Sequence, residues 1–350
     1  MPAAAWPRAF LWQTLFLVLG LLVLAALIHE VGLAAIFNVL EHLGWLTPLI
    51  VLPYLCSYLL DNIGWWWILR REFATLPGNP HRPPDLLQLF GMRAAGEAVN
   101  AITPTAYLGG EPLKAWLLQR YNIPFAPALA SALVSKTALL LTQGAYVFIA
   151  LLVALHRWWP AFPLFLAAAV GIAFGILAFR LMIGAQRRDL FGSLLAFLRR
   201  WSGRSALLAP LEADVHALDD FLREFYHSRL RDFSMCCLFH FLGWVVGSLE
   251  VYLALWLLHH PVNLARAFAI DALSGVAKLG VIIIPGSLGV QEAGQILIFV
   301  AFGLTAPLAV TFGLLRRGRE LLWIGYGLAV LIHHHAGSWL RERLQAWRTM

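Results

Sequence analysis

Long apolar stretches recur along the chain at about residues 11–28, 45–68, 125–155, 160–183, 233–258 and 306–332. An α-helix needs roughly 20 apolar residues to cross a ~30 Å hydrocarbon core. The pattern therefore predicts an all-α, polytopic protein with about six transmembrane helices. Two further regions, 85–120 and 265–303, are apolar in part but broken. The first carries Arg93, Glu97 and Asn100, then Pro104, Gly109, Gly110, Glu111 and Lys114. The second carries Asp271 and Lys278, then Pro285, Gly286, Gly289 and Glu292. Proline removes a backbone donor and glycine loosens a helix. Such irregular backbone is tolerated at membrane depth only when it is buried in protein or lines a wet cavity. Each region is expected to be a re-entrant helical hairpin that dips into the membrane and returns to its own side. Between residues 205 and 232, Leu211, Val215, Leu218, Leu222 and Phe225 recur at helical spacing against Glu212, Asp214, Asp219, Asp220 and Glu224. That spacing predicts an amphipathic helix on the cytoplasmic surface.

The breaks repeat. Thr103-Pro104-Thr105-Ala106-Tyr107-Leu108-Gly109-Gly110-Glu111 returns loosely as Ile284-Pro285-Gly286-Ser287-Leu288-Gly289-Val290-Gln291-Glu292, with the prolines 181 positions apart. Ala126-Pro127 and Ala306-Pro307 are 180 apart, and a cation follows nine residues after each proline, Lys136 and Arg316. The expectation is one membrane domain over residues 1–350, built from a repeat of about 45–155 and 233–332. Three spans separate the hairpins, so they enter from opposite faces and the repeat is inverted, a frequent architecture of carriers.

Composition supports the membrane reading. Apolar residues make up 60%, charged residues 13%, and the mean hydropathy is +0.73. Soluble globular domains are about 45–50% apolar and about 25% charged. A net charge of +7 would suggest nucleic acid in a soluble protein. Here the arginines flank spans, which points to orientation and anionic lipid instead. Loop 29–44 has Glu30 and Glu41 but no Lys or Arg, whereas loops 69–84 and 184–204 and the tail are rich in arginine. These basic segments fall on one side, so both termini are expected in the cytoplasm of an inner-membrane protein. His29-Glu30-Val31 offers no small-residue cleavage site, so the first span reads as a retained anchor. Three cysteines give neither a disulfide framework nor a metal spacing. Asp219-Asp220, His259-His260 and His333-His334-His335 read as solvated polar groups. No metal, cofactor or catalytic residue is expected.

The two broken segments carry a resemblance. Arg93-x3-Glu97-x2-Asn100-x3-Pro104, then Gly109-Gly110-Glu111-Pro112-x-Lys114, and later Ile284 to Glu292, together with the number and length of spans, resemble a flippase-like membrane family. That family includes the transmembrane region of lysylphosphatidylglycerol synthase, and the likeness covers roughly residues 10 to 335. The resemblance implies movement of a lipid between leaflets. Lysine transfer is not expected, because the likeness covers the transmembrane part of the synthase and not its soluble aminoacyl-transferase domain. Anionic, polyprenyl-linked and hopanoid lipids are all open, and lipid- or glycan-pathway enzymes are conceivable partners. The oligomeric state is not readable from the sequence.

A lipid carrier must give a charged headgroup a polar route through hydrocarbon. Helices restarting after Pro104–Gly110 and Pro285–Gly289 would aim positive N-terminal ends at an anion. Glu111 and Glu292 would either serve transport or only cap those helices. Lys136 and Arg316 lie in apolar stretches, and intramembrane ions default to functional roles. Glu97 and Lys278 are equivalent under the 181-residue offset and of opposite sign, so an ion pair is expected between them. Glu250 lies mid-span as a plausible proton carrier, and Asp61 reads as the end of a span. Two other function classes compete: an intramembrane enzyme of lipid or polyprenyl-phosphate metabolism, and a non-catalytic partner subunit. Against an enzyme, His29-Glu30 lacks a second His at Leu33, and no Gly-x-Ser-Gly occurs. No ATP-binding P-loop is present, so any work must come from a gradient, a partner or mass action.

Overall fold

The computed structural model describes residues 41, 44–75, 84–103, 109–158, 164–202, 212–279 and 290–348. Among them are eleven α-helices and no strand. They are α1 (Thr47–Thr75), α2 (Leu86–Ile102), α3 (Gly110–Leu118), α4 (Phe125–Trp158), α5 (Leu164–Gln186), α6 (Leu190–Ser202), α7 (Glu212–Ser228), α8 (Leu230–Leu257), α9 (Leu264–Leu279), α10 (Val290–Ala301) and α11 (Ala306–Arg348). The expected first span, 11–28, and Pro104, Pro285 and Gly289 lie outside the described residues.

Among the described residues, four helical windows are long and apolar enough to cross a membrane: Gly44–Arg70, Phe125–His156, Ala168–Gln186 and Leu230–Leu257. They correspond to four of the six expected spans. The sixth falls inside α11, where Arg316, Arg317, Arg319 and Glu320 interrupt the apolar run. Both expected hairpin regions hold two helices, α2 and α3 in one and α9 and α10 in the other. The order long, short, short, long thus occurs twice, with helix starts displaced by roughly 180 positions.

The chain divides into two compact units. One comprises Leu46–Leu89 and Lys114–Val276. In it α1 and α8 run antiparallel in close contact, because glycines remove side chains at the crossing. A Cβ on Gly64 would meet the Cys236 carbonyl oxygen and Phe239 Cβ at 3.3 Å, and one on Gly243 would meet Asp61 Oδ1 at 3.0 Å. Small residues let transmembrane helix backbones approach this way. The neighbouring α4 contributes Ala126, Ala130, Val134 and Ala138 to a core completed by the apolar face of α7, Leu218, Leu222 and Phe225. Polar bonds fix the same junction: the Tyr226 hydroxyl donates to Gln186 Oε1 at 2.7 Å, and Gln186 Nε2 donates to Thr137 Oγ1 at 2.8 Å. Burial pushes the Tyr226 phenol well above its usual range, so it persists as a donor. On α5, Phe165, Val170, Phe174 and Leu181 are exposed in a row of apolar side chains, a surface suited to lipid tails.

One expectation fails here. Residues 184–204 read as a basic loop, but they hold α6. Its first turn is capped from α7, since Asp219 accepts hydrogen bonds from the Phe191 and Gly192 amides at 3.2 and 2.7 Å. A carboxylate at a helix N-terminus satisfies orphan donors and opposes the helix dipole. Farther along, Arg199 grips Glu212 through two 2.9 Å bonds and holds that carboxyl below its usual range. Asp219 is therefore a buried helix cap within the amphipathic region expected at 205–232.

The other unit comprises Met1–Trp45, Phe90–Leu113 and Ala277–Met350. In it α2 lies antiparallel on α11. Gly91 faces Val330, Gly327 sits against Ala94, and Ala98 and Ile102 pack with Ile324 and Leu328. Farther down α11, Phe312 meets Phe299 of α10 at 5.5 Å between ring centroids, and Gln295 Nε2 donates to the Ala309 carbonyl at 2.8 Å.

Candidate functional site

Within the second unit, polar groups collect on one stretch of α11. Arg316, Arg317 and Arg319 are all buried there, at 4–7% exposure. Arg317 Nη1 stands 2.9 Å from Glu320 Oε2, and Arg316 lies over the Phe312 ring at 4.8 Å. The first turn of α10 reaches the same place, with Gln291 Nε2 3.5 Å from Glu320 Oε1. The end of α2 packs a turn farther along α11, where Ile102 and Ile324 share an apolar cluster.

The end of α2 in turn holds the start of α3. Asn100 Oδ1 accepts a 2.7 Å hydrogen bond from the Gly110 amide, one of the four donors that a helix start leaves unsatisfied. Gly110 is required for that approach, because a Cβ would stand 2.0 Å from the Gly96 carbonyl oxygen. Glu111, in the first turn of α3, is 1% exposed. One turn before Glu97, Arg93 is buried and bonds it at 2.9 Å. So Arg93, Glu97, Asn100, Gly109, Gly110, Glu111 and Arg316 belong to one unit, and the first turn of α10 reaches the arginine stretch of α11 through Gln291 and Glu320. Chemically, the unit holds buried guanidinium groups and two helix N-termini, each suited to an anionic oxygen.

Other expected site residues fall elsewhere. Lys114, Lys136 and Glu250 belong to the first unit. Lys114 is buried, with its ammonium 5.9 Å from the Trp65 ring centroid. Lys136 is half-buried on α4, and Glu250 is 3% exposed on α8. The backbones of Lys278 and Glu292 lie in α9 and α10, while their side chains, like Pro104, Pro285 and Gly289, lie outside the described residues. The expected Glu97–Lys278 pair falls there too, and Glu97 has Arg93 as a partner.

Asp61 corrects its sequence reading. It lies inside α1, which continues to Thr75, rather than at a span end. Its Oδ1 is 2.6 Å from His240 Nδ1 on α8, and His240 Nε2 is 3.1 Å from Ser135 Oγ on α4. All three residues are buried. His240 and Ser135 were missed because neither belongs to a local motif. A signal exists in hindsight: Asp61-x2-Gly64-Trp65 and His240-x2-Gly243-Trp244 are 179 positions apart, close to the spacing of the other repeated landmarks.

Comparison with known proteins agrees with this architecture. The family model for the lysylphosphatidylglycerol synthase TM region matches residues 12–327. A UPF0104 membrane protein of Methanothermobacter thermautotrophicus is 22% identical over 348 residues, covering 94% of this chain and 97% of its own length. No solved structure matches. The chain belongs to the lysylphosphatidylglycerol synthase TM-region family and is a multi-pass membrane protein of lipid metabolism or transport.

Proposed function

We propose that the protein is an inner-membrane lipid carrier with cytoplasmic termini, which moves a lipid with an anionic headgroup between leaflets. The observation that carries this reading is the burial of Arg93, Arg316, Arg317 and Arg319 in the unit that also holds the first turns of α3 and α10. Placing an arginine at the bilayer centre costs about 2.5–3.5 kcal/mol on insertion scales. Retaining several is reasonable where they bind a charged cargo. Guanidinium forks match phosphate oxygens bidentately, and helix N-termini add favourable dipoles. The recurring helix order fits an inverted repeat whose two arrangements would expose the site to alternate leaflets.

The test uses purified protein in vesicles with fluorescent phosphatidylglycerol or phosphatidylcholine, read by quenching the outer leaflet. The protein should accelerate exchange of the anionic lipid above that of the zwitterionic one. Losing a charge-assisted hydrogen bond is worth about 1.5–3 kcal/mol, so Arg316→Met should slow that exchange by about tenfold or more. Lys136→Met, Glu111→Gln and Glu292→Gln then separate transport roles from capping. Equal exchange by wild type and a folded Arg316→Met protein, or no acceleration of either lipid, would defeat the reading.

A further inference from the structure

We propose that Asp61, His240 and Ser135 form a proton-binding site that couples lipid movement to the proton gradient. The coupling part rests on the lipid-carrier reading; the proton site does not.

The geometry is that of a two-state proton acceptor. The ring is held at both nitrogens, by Asp61 Oδ1 at 2.6 Å on Nδ1 and by Ser135 Oγ at 3.1 Å on Nε2. In the neutral ring, Nδ1–H donates to the carboxylate and Nε2 accepts from the hydroxyl. Once protonated, Nε2–H donates instead, and the hydroxyl turns to accept. A hydroxyl is the side chain that serves both states without moving a heavy atom, and a helical serine can redirect its proton to a carbonyl of the preceding turn. One proton therefore enters or leaves with both contacts preserved. The formal charge of the set changes from −1 to 0, which in a water-poor interior is a large electrostatic change.

Position gives the proton leverage. Asp61 and His240 meet where α1 crosses α8, and α4 supplies Ser135. Asp61 is a titratable group that α1 presents to the ring, and on α4 Lys136 follows Ser135 and is half-buried. On α8 itself, Cys236 lies one turn away against Gly64, and Glu250 lies about three turns away. The crossing is symmetric in sequence: Asp61 and His240 each stand three residues before a Gly-Trp pair, and each glycine faces the other helix. Antiparallel helices whose matching residues touch lie about a local two-fold axis. Asp61 and His240 occupy that axis, where an inverted repeat would pivot between its two arrangements. Charging or neutralising the pair thus biases the interface that would have to change.

Two measurements test this. First, nitrogen NMR of ¹⁵N-histidine protein in micelles should show a signal, missing from His240→Gln, that changes between about pH 4 and 9. Its pH profile should differ in Asp61→Asn. A His240 signal constant over that range overturns the proton site, whatever the lipid result. Second, vesicles with an imposed pH gradient should show wild-type exchange altered several-fold against vesicles without one, while folded Asp61→Asn protein exchanges lipid indifferently to the gradient. Wild-type exchange unaffected by the gradient overturns the coupling. Absence of exchange in the wild type defeats the carrier reading and the coupling with it, and the NMR result alone then decides the proton site. Asp61→Asn keeps shape and a hydrogen bond, so it serves even if His240→Gln fails to fold. Covalent labelling of Ser135 by a fluorophosphonate would also overturn the proposal, marking a nucleophile in place of a proton site.

Discussion

Replacing Gly110 by alanine isolates the contact that shapes the first hairpin. The new Cβ would stand 2.0 Å from the Gly96 carbonyl oxygen, 2.6 Å from its carbon and 2.9 Å from its Cα. Carbon–oxygen contacts between packed backbones normally lie near 3.3–3.6 Å. The start of α3 must therefore withdraw by more than about 1 Å, and no side chain can rotate aside because both partners are backbone. Forced overpacking costs about 1–3 kcal/mol. Withdrawal also breaks the 2.7 Å bond from the Gly110 amide to Asn100, and a buried unmet donor costs about 1–3 kcal/mol. Alanine's better helix propensity returns about 0.5–1 kcal/mol. The net expectation is a loss of about 1–5 kcal/mol. Reversible unfolding in mixed detergent micelles measures it, with Gly144→Ala as control. Nothing lies within 4 Å of a Cβ at Gly144, so that variant should match the wild type or gain slightly. Gly110→Ala unfolding within about 0.5 kcal/mol of the wild type would refute the close approach of α3 to α2.

Two further outcomes follow from packing. Gly327→Ala would bring a Cβ to 2.3 Å from the Ala94 carbonyl oxygen and 2.7 Å from Ala98 Cβ, so it should destabilise by about 1–3 kcal/mol in the same assay. Gly325→Ala, with open space, should not. Tyr226→Phe removes the donor to Gln186 Oε1 and should cost about 1–3 kcal/mol. Limited proteolysis should then cut faster between α6 and α7; an unchanged rate would show that the apolar face of α7 suffices to hold it.

Helix-breaking residues and apolar length are local, and they were legible. Thr47–Thr75, Phe125–Trp158, Leu164–Gln186 and Leu230–Leu257 follow from runs of apolar side chains. The end of α2 at Ile102 follows from Pro104, and α7 from its spacing of leucines. Where a local cue was ambiguous, reading it alone misled. The arginines of 184–204 suggested a loop, yet α6 forms because Asp219, almost thirty residues later, caps its start. Asp61 suggested a span end because an unpaired carboxylate is unwelcome in hydrocarbon, and its partner was not visible.

The sequence by itself determined that this is an all-α membrane protein, and it located the four described segments long and apolar enough to cross a membrane, because hydropathy and backbone preference act over one or two turns. Only the tertiary structure decided which charges are buried and what they meet. Ser135 and Asp61 come to His240 from positions 105 and 179 residues away. Arg316, Arg317 and Arg319 are buried on a helix that packs against α2 and α10. The reason is physical. A buried charge is tolerable only with partners supplied by other helices, so its fate depends on crossings fixed by distant small residues such as Gly64, Gly243 and Gly327.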